Sequence, residues 1–117
     1  RGDIHHIFPK KYLQKCGIKE RSLYNQIANY VYTQSEINVK IKDQAPKEYM
    51  AQVKEHCTGG NAVYGGINSL AKLEANMNAN CIPQEIFDMD YTQFENFLEK
   101  RRHLMAQKIR NYYELLK

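Results

Sequence analysis

Nothing in the 117-residue chain approaches the run of roughly 18 apolar residues that a membrane-spanning helix needs. Its first residues, Arg1-Gly2-Asp3-Ile4, lack the apolar stretch and cleavage site of a secretory signal. With no initiator Met, the chain is expected to be a fragment of a longer protein. Cysteine is scarce: Cys16, Cys57 and Cys81 are far apart, odd in number and without a C-x-x-C pair. That argues against a disulfide framework or a four-thiolate zinc site and suits a reducing compartment. His56-Cys57 could join Cys16 or Cys81 around a metal, but three separate buried thiols are the simpler expectation. No internal repeat or low-complexity tract is present.

What remains is ordinary globular material, with 43% hydrophobic and 26% charged residues. The length suits one domain, spanning 1–117. The net charge of +4 is uneven. Residues 1–54 carry ten basic and five acidic side chains, and residues 55–117 carry seven and eight. A basic half suggests a polyanion surface, with a plain solvated face as the alternative.

Asp3-Ile4-His5-His6-Ile7-Phe8-Pro9 is partly β-branched and stopped by proline, which predicts the end of a strand. Residues 10–27 are polar and broken by Gly17, with one short helix expected over residues 10–15. So long a connection in a small domain points to function. Residues 27–33 predict a second strand, paired with the first. Thr33-Gln34-Ser35-Glu36 fits a capping box ahead of a helix that holds Ile37 and Ile41 and ends near Asp43. Pro46 predicts the opening of the next helix, which runs to about Cys57 and stops before Gly59-Gly60. Another is expected through Ile67, Leu70, Leu73 and Met77, closing in polar Asn76, Asn78 and Asn80. Thr92-Gln93-Phe94-Glu95 fits a second capping box. Phe94, Phe97, Leu98, Leu104, Met105, Ile109, Tyr112 and Leu116 then form an apolar stripe, expected as core or partner contact. Arg101-Arg102-His103, within that helix, is expected as a solvated face.

The informative constellation lies in residues 3–42. Two adjacent histidines close a strand, a second strand carries Asn29, and a capped helix carries Asn38 near its start. Neighbouring strand residues point to opposite faces, so His5 and His6 cannot share one job unless the strand is ending. This arrangement, Asp3-x-His5-His6-Ile7-x-Pro9 followed by Asn29 and Asn38, resembles the HNH nuclease motif, also called the ββα-metal or His-Me finger. More specifically, the chain resembles the C-terminal domain of GmrSD-type restriction endonucleases. The stretches that carry this likeness are Tyr24-Asn25-Gln26-Ile27-Ala28-Asn29-Tyr30-Val31-Tyr32-Thr33, Ser35-Glu36-Ile37-Asn38-Val39-Lys40-Ile41 and Ala45-Pro46-Lys47-Glu48-Tyr49.

The resemblance implies roles. His6 would be the general base, since an imidazole with an ordinary pKa near 6.5 suits proton abstraction at neutral pH. His5 and Asn38, with Asp3 as a possible substitute or support, would hold a divalent metal ion. Asn29 would orient His6, by accepting an N–H or by bracing the loop. Lys10, Lys11, Lys40 and Lys42 would bind the phosphate backbone without reading bases. Many relatives carry an acidic residue where this chain has His5. An imidazole ligand favours zinc, nickel or manganese over magnesium, so any of the four stays open. The zinc-ribbon cysteines of some HNH enzymes are absent, which leaves the fold to rest on the helices after residue 43.

The expected fold is α+β and mostly helical: a small two-stranded ββα-metal core over about residues 1–43, with a helical part over about 46–117 and some four helices in all around the core. The expected function is metal-dependent endonucleolytic cleavage of DNA within a restriction or antiviral defence system, alongside an upstream specificity or NTPase module. A double-strand break would need two such sites, as in a homodimer, or sequential nicks. The alternative is a non-catalytic nucleic-acid-binding domain that keeps the ββα shape. The adjacent histidines discriminate between the two, because binding alone requires neither a base nor a ligand beside it.

Overall fold

The computed structural model describes residues 3–33, 43–59, 67 and 69–117. It is a mostly helical α+β fold with one small antiparallel sheet. Strand β1 (Asp3–His6) pairs with β2 (Tyr30–Thr33) in the register His5 opposite Val31 and His6 opposite Tyr30. Between the strands lie helix α1 (Lys10–Lys15), helix α2 (Arg21–Tyr24) and a 3-10 turn (Ile27–Asn29). Pro9 precedes α1 with φ −60°, the value its ring imposes and one compatible with entry to a helix. Gly17 closes α1 at φ 94°, the left-handed position that a side chain resists, while Ile18 N–H reaches back to Leu13 O at 2.9 Å.

Helix α3 (Pro46–Gly59) begins at the proline as predicted. Helix α4 (Leu70–Ala79) starts after Ser69, whose hydroxyl accepts from Lys72 N–H at 3.2 Å. It ends in the asparagine patch, where Asn80 Nδ2 donates to Asn76 O at 2.9 Å and Cys81 takes the left-handed conformation. The capping box of the last helix differs from the predicted one. Asp90, not Thr92, is the capping residue: its carboxylate accepts from Thr92 N–H, and Gln93 Oε1 accepts from Asp90 N–H, both at 2.9 Å. The Thr92 hydroxyl is itself bound to Asp90 at 2.5 Å and is not free to cap. One 3-10 turn (Tyr91–Gln93) then runs into helix α5 (Phe94–Leu115).

The core lies between the two-stranded unit and the later helices. Phe8 is fully buried, its ring centroid 5.1 Å from that of Phe94 and 4.9 Å from that of Phe97. Leu13, Tyr24, Met77, Ile86 and Leu98 are buried in the same cluster. Each such aromatic or aliphatic side chain contributes about 1.5–3 kcal/mol relative to exposure. Phe8 follows β1 by two residues, so the core takes hold of the chain at the strand end.

Other expectations are met only in part or need correction. The second strand is shorter than residues 27–33, because residues 27–29 turn under as a 3-10 helix to bring the Asn29 side chain inward. The apolar stripe of α5, expected as core or partner contact, is core at Phe94, Phe97 and Leu98, whereas Ile109, Tyr112 and Leu116 are more than half exposed. Arg101 is not on a solvated face. It is 5% exposed and donates to Ala28 O at 2.9 Å, to Tyr30 O and to Asn80 O at 3.0 Å. Arg102 and His103 are exposed as expected. The three cysteines are free and half-buried rather than fully buried. The capping box at Thr33 and the helix through Asn38 lie outside the described residues. Among the described residues, no helix is long and apolar enough to cross a membrane.

Candidate active site

The site is built on the last residues of β1. Alternation along the strand sends His5 and His6 to opposite faces; His5 is exposed and His6 half-buried. The His6 ring is held on three sides. Its Nε2 lies 2.8 Å from Asn25 Oδ1. Cross-strand Tyr30 meets it edge-on, with centroids 5.0 Å apart and an interplanar angle of 68°. Tyr24, buried at the end of α2, approaches at 6.1 Å and 65°. Edge-to-face packing of this kind fixes the ring plane without occupying its nitrogens.

Asn29 is fully buried and braces the backbone. Its Oδ1 accepts from Phe8 N–H at 2.8 Å, and its Nδ2 donates to Phe8 O at 3.1 Å and Tyr24 O at 3.0 Å. All three bonds go to main chain, which is how an asparagine diverts a chain from regular pairing. Of the two ways in which Asn29 was expected to serve His6, the structure has the brace. The side chain that hydrogen-bonds the imidazole is Asn25, to which no role was given. Its signal was weak: one more asparagine in an asparagine-rich chain, just after a four-residue helix that local sequence does not announce.

Other elements fix the same corner. Tyr49 of α3 donates its hydroxyl to Ile7 O at 2.5 Å, and burial pushes its phenol pKa upward, so it stays a donor at neutral pH. Arg101 of α5 ties Ala28 and Tyr30 from the far side, and burial lowers its pKa from the usual guanidinium value. The strand end is thus held by α3, α5 and the Asn29 turn together.

Lys10 and Lys11 are exposed on the first turn of α1, four and five residues after His6. Lys15, Lys19 and Arg21 continue this exposed basic run, with Glu20 the one acidic residue between Ile7 and Gln26. Lys15 pairs with Asp43 at 2.8 Å. Asn38, Lys40 and Lys42 lie outside the described residues. Asp3 pairs through its backbone with Thr33, and its carboxylate is not described. His5 is thus the one proposed metal ligand whose side chain is placed, and a single imidazole does not make a metal site. Among the described residues, no group of three or more His, Cys, Asp or Glu could hold a metal ion. The cluster suggested for His56 and Cys57 with the other cysteines is therefore not formed there. His56 is buried in α3, and the Cys57 thiol lies 3.7 Å from Ile67 O.

A shallow groove of about 470 Å³ runs between the Ile27–Asn29 turn and α5, lined by Ile27, Ala28, Met105 and Ile109 with Gln26 and Arg102. Neither His5 nor His6 lines it. Family models, curated proteins and solved structures offer no match to this chain.

Proposed function

We propose that this chain is the cleavage domain of an HNH-type endonuclease, hydrolysing phosphodiester bonds in DNA as part of a longer restriction or phage-defence enzyme of the bacterial cytoplasm. The observation that carries the reading is His6: a half-buried imidazole at a strand end, its plane set by Tyr24 and Tyr30 and one nitrogen held by Asn25. A general base must point its free nitrogen at one water, and a ring held in this way meets that requirement. The exposed lysines of α1 support it, since phosphate contacts place a backbone without reading sequence.

In this reading the His6 imidazole takes a proton from water as the water oxygen bonds to phosphorus. The bond from phosphorus to the departing oxygen breaks, and that oxygen takes a proton from solvent. A divalent metal ion, when bound, would supply charge at the phosphate. His5 and Asn38 would be its ligands. The described donors do not make up that site alone.

The test is nicking of supercoiled plasmid by the purified chain with manganese or magnesium, and with His6→Ala as the comparison. Cleavage should fall about 10²–10⁴-fold in the variant while DNA affinity is retained. Undiminished turnover in His6→Ala removes the base assignment. DNA binding without cleavage under any divalent metal turns the reading into that of a binding domain.

A further inference from the structure

We propose that Asn25 is the positioning residue for His6: it fixes the imidazole as the Nε2–H tautomer and so makes Nδ1 the nitrogen that receives the proton. The proposal rests on the nuclease reading for its catalytic part, but its structural part stands on geometry alone.

Asn25 Oδ1 lies 2.8 Å from His6 Nε2. A carbonyl oxygen only accepts, so the shared hydrogen belongs to the ring, and Nε2 is the N–H of the pair. A neutral imidazole carries one such hydrogen, which leaves Nδ1 with its lone pair. No hydrogen bond from a described residue reaches Nδ1, and the two tyrosine contacts engage the ring without using a nitrogen. The lone pair of Nδ1 is thereby kept for water.

Asn25 is placed to do this by its neighbours. It is the residue that ends α2, and its own N–H donates to Arg21 O at 2.8 Å. The carbonyl just before it, Tyr24 O, is gripped by the buried Asn29 amide at 3.0 Å. On the other side Gln26 donates to Leu23 O at 3.0 Å and receives Arg102 from α5. The two asparagines therefore divide the work: Asn29 holds the backbone on which Asn25 stands, and Asn25 holds the ring. In the reaction, Nδ1 accepts the water proton as the oxygen–phosphorus bond forms, the phosphorus–oxygen bond on the leaving side breaks, and solvent protonates the departing oxygen. Throughout, Nε2–H stays on Asn25, and the imidazolium that forms keeps both hydrogens in defined places.

An amide turned over, with Nδ2 toward the ring, would impose the opposite tautomer, so the tautomer is the deciding measurement. Two-bond hydrogen–nitrogen correlation spectra of the full chain, recorded at alkaline pH, read it directly for His6. The wild type should show the Nε2–H form alone. Asn25→Ala should show a mixture, and Asn25→Asp, which keeps an acceptor, should restore the single form. Asn25 is exposed, so both variants should fold. In plasmid cleavage, Asn25→Ala should lose about 10–100-fold in kcat with KM unchanged, and Asn25→Asp should recover most of it.

An Nδ1–H wild type, or a tautomer unmoved in Asn25→Ala, overturns the proposal even if cleavage persists and the nuclease reading stands. Wild-type kcat in Asn25→Ala overturns it too. The expected tautomer pattern without cleavage in any protein sinks the nuclease reading instead, and with it the catalytic role given to Asn25.

Discussion

Replacing Arg101 by methionine tests how the site corner is held. Methionine keeps most of the apolar stem and deletes the guanidinium. Three carbonyls then lose a close donor, Ala28 O, Tyr30 O and Asn80 O, and Ile27 O loses a longer one at 3.5 Å. An acceptor left unsatisfied in a buried place costs about 1–3 kcal/mol, so the gross loss is roughly 3–9 kcal/mol. Two effects reduce it. The Tyr30 and Asn80 carbonyls are only partly buried, so water can reach them. The guanidinium, which burial already disfavours, no longer has to leave water. The net expectation is about 2–4 kcal/mol of destabilisation. For a chain of this size that lowers the thermal midpoint by roughly 10–20 °C. Urea titration followed by circular dichroism gives the free energy directly, provided the slope is unchanged. Arg101→Lys should recover less than half, because one compact ammonium cannot span carbonyls that a planar fork reaches on two sides. A loss below about 0.5 kcal/mol in Arg101→Met, the size of an ordinary surface change, would refute the reasoning. So would full stability in Arg101→Lys.

Two further outcomes follow from α5 and its cap. The Thr92 hydroxyl and amide, with Lys47 at 3.4 Å adding to them, hold the Asp90 carboxyl below its ordinary value near 3.8. A lowered folded-state value means stability that is present above that pH and lost as pH falls through the folded value. Asp90→Ala should cost about 1 kcal/mol at pH 7, and the melting points of variant and wild type should converge as pH drops below about 4; a constant gap across pH would show that the charge contributes nothing. Hydrogen exchange should be slower at Phe97–Arg101 than at Ile109–Tyr113, because only the first segment is covered by the core; uniform protection along α5 would contradict this.

The helices were readable where local chemistry announces them. Pro46 opens α3, Pro9 precedes α1, and the asparagines close α4, because each acts through its own backbone. Arg101 was readable by spacing, though not by residue type. It stands four residues after Phe97 and three after Leu98, squarely on the apolar stripe, but its charge suggested solvent. What its spacing could not tell is that carbonyls from residues 28, 30 and 80 would meet it there, since those contacts cross more than twenty positions of sequence. The same limit hid Asn25. His6 and Asn29 stood out by motif, whereas the 19-residue separation between His6 and Asn25 is bridged only once α2 and the Ile27–Asn29 turn have formed.

The way the two strands are joined has a consequence for how the chain folds. In a tight hairpin the turn sets the pairing. Here residues 7–29 separate β1 from β2, and a connection that long sets nothing by itself. The pairing is fixed instead at one end, by Ile7 N–H on Asn29 O at 2.8 Å and by the Asn29 amide on Phe8. A slip of one residue would turn β1 over and bring His5, rather than His6, to the Tyr30 side. Because the two histidines are adjacent and identical, that pair of residues does not itself select the register. The register of the strands, and with it the histidine that faces Tyr30, is therefore carried by the Asn29 turn and its bonds to Ile7 and Phe8.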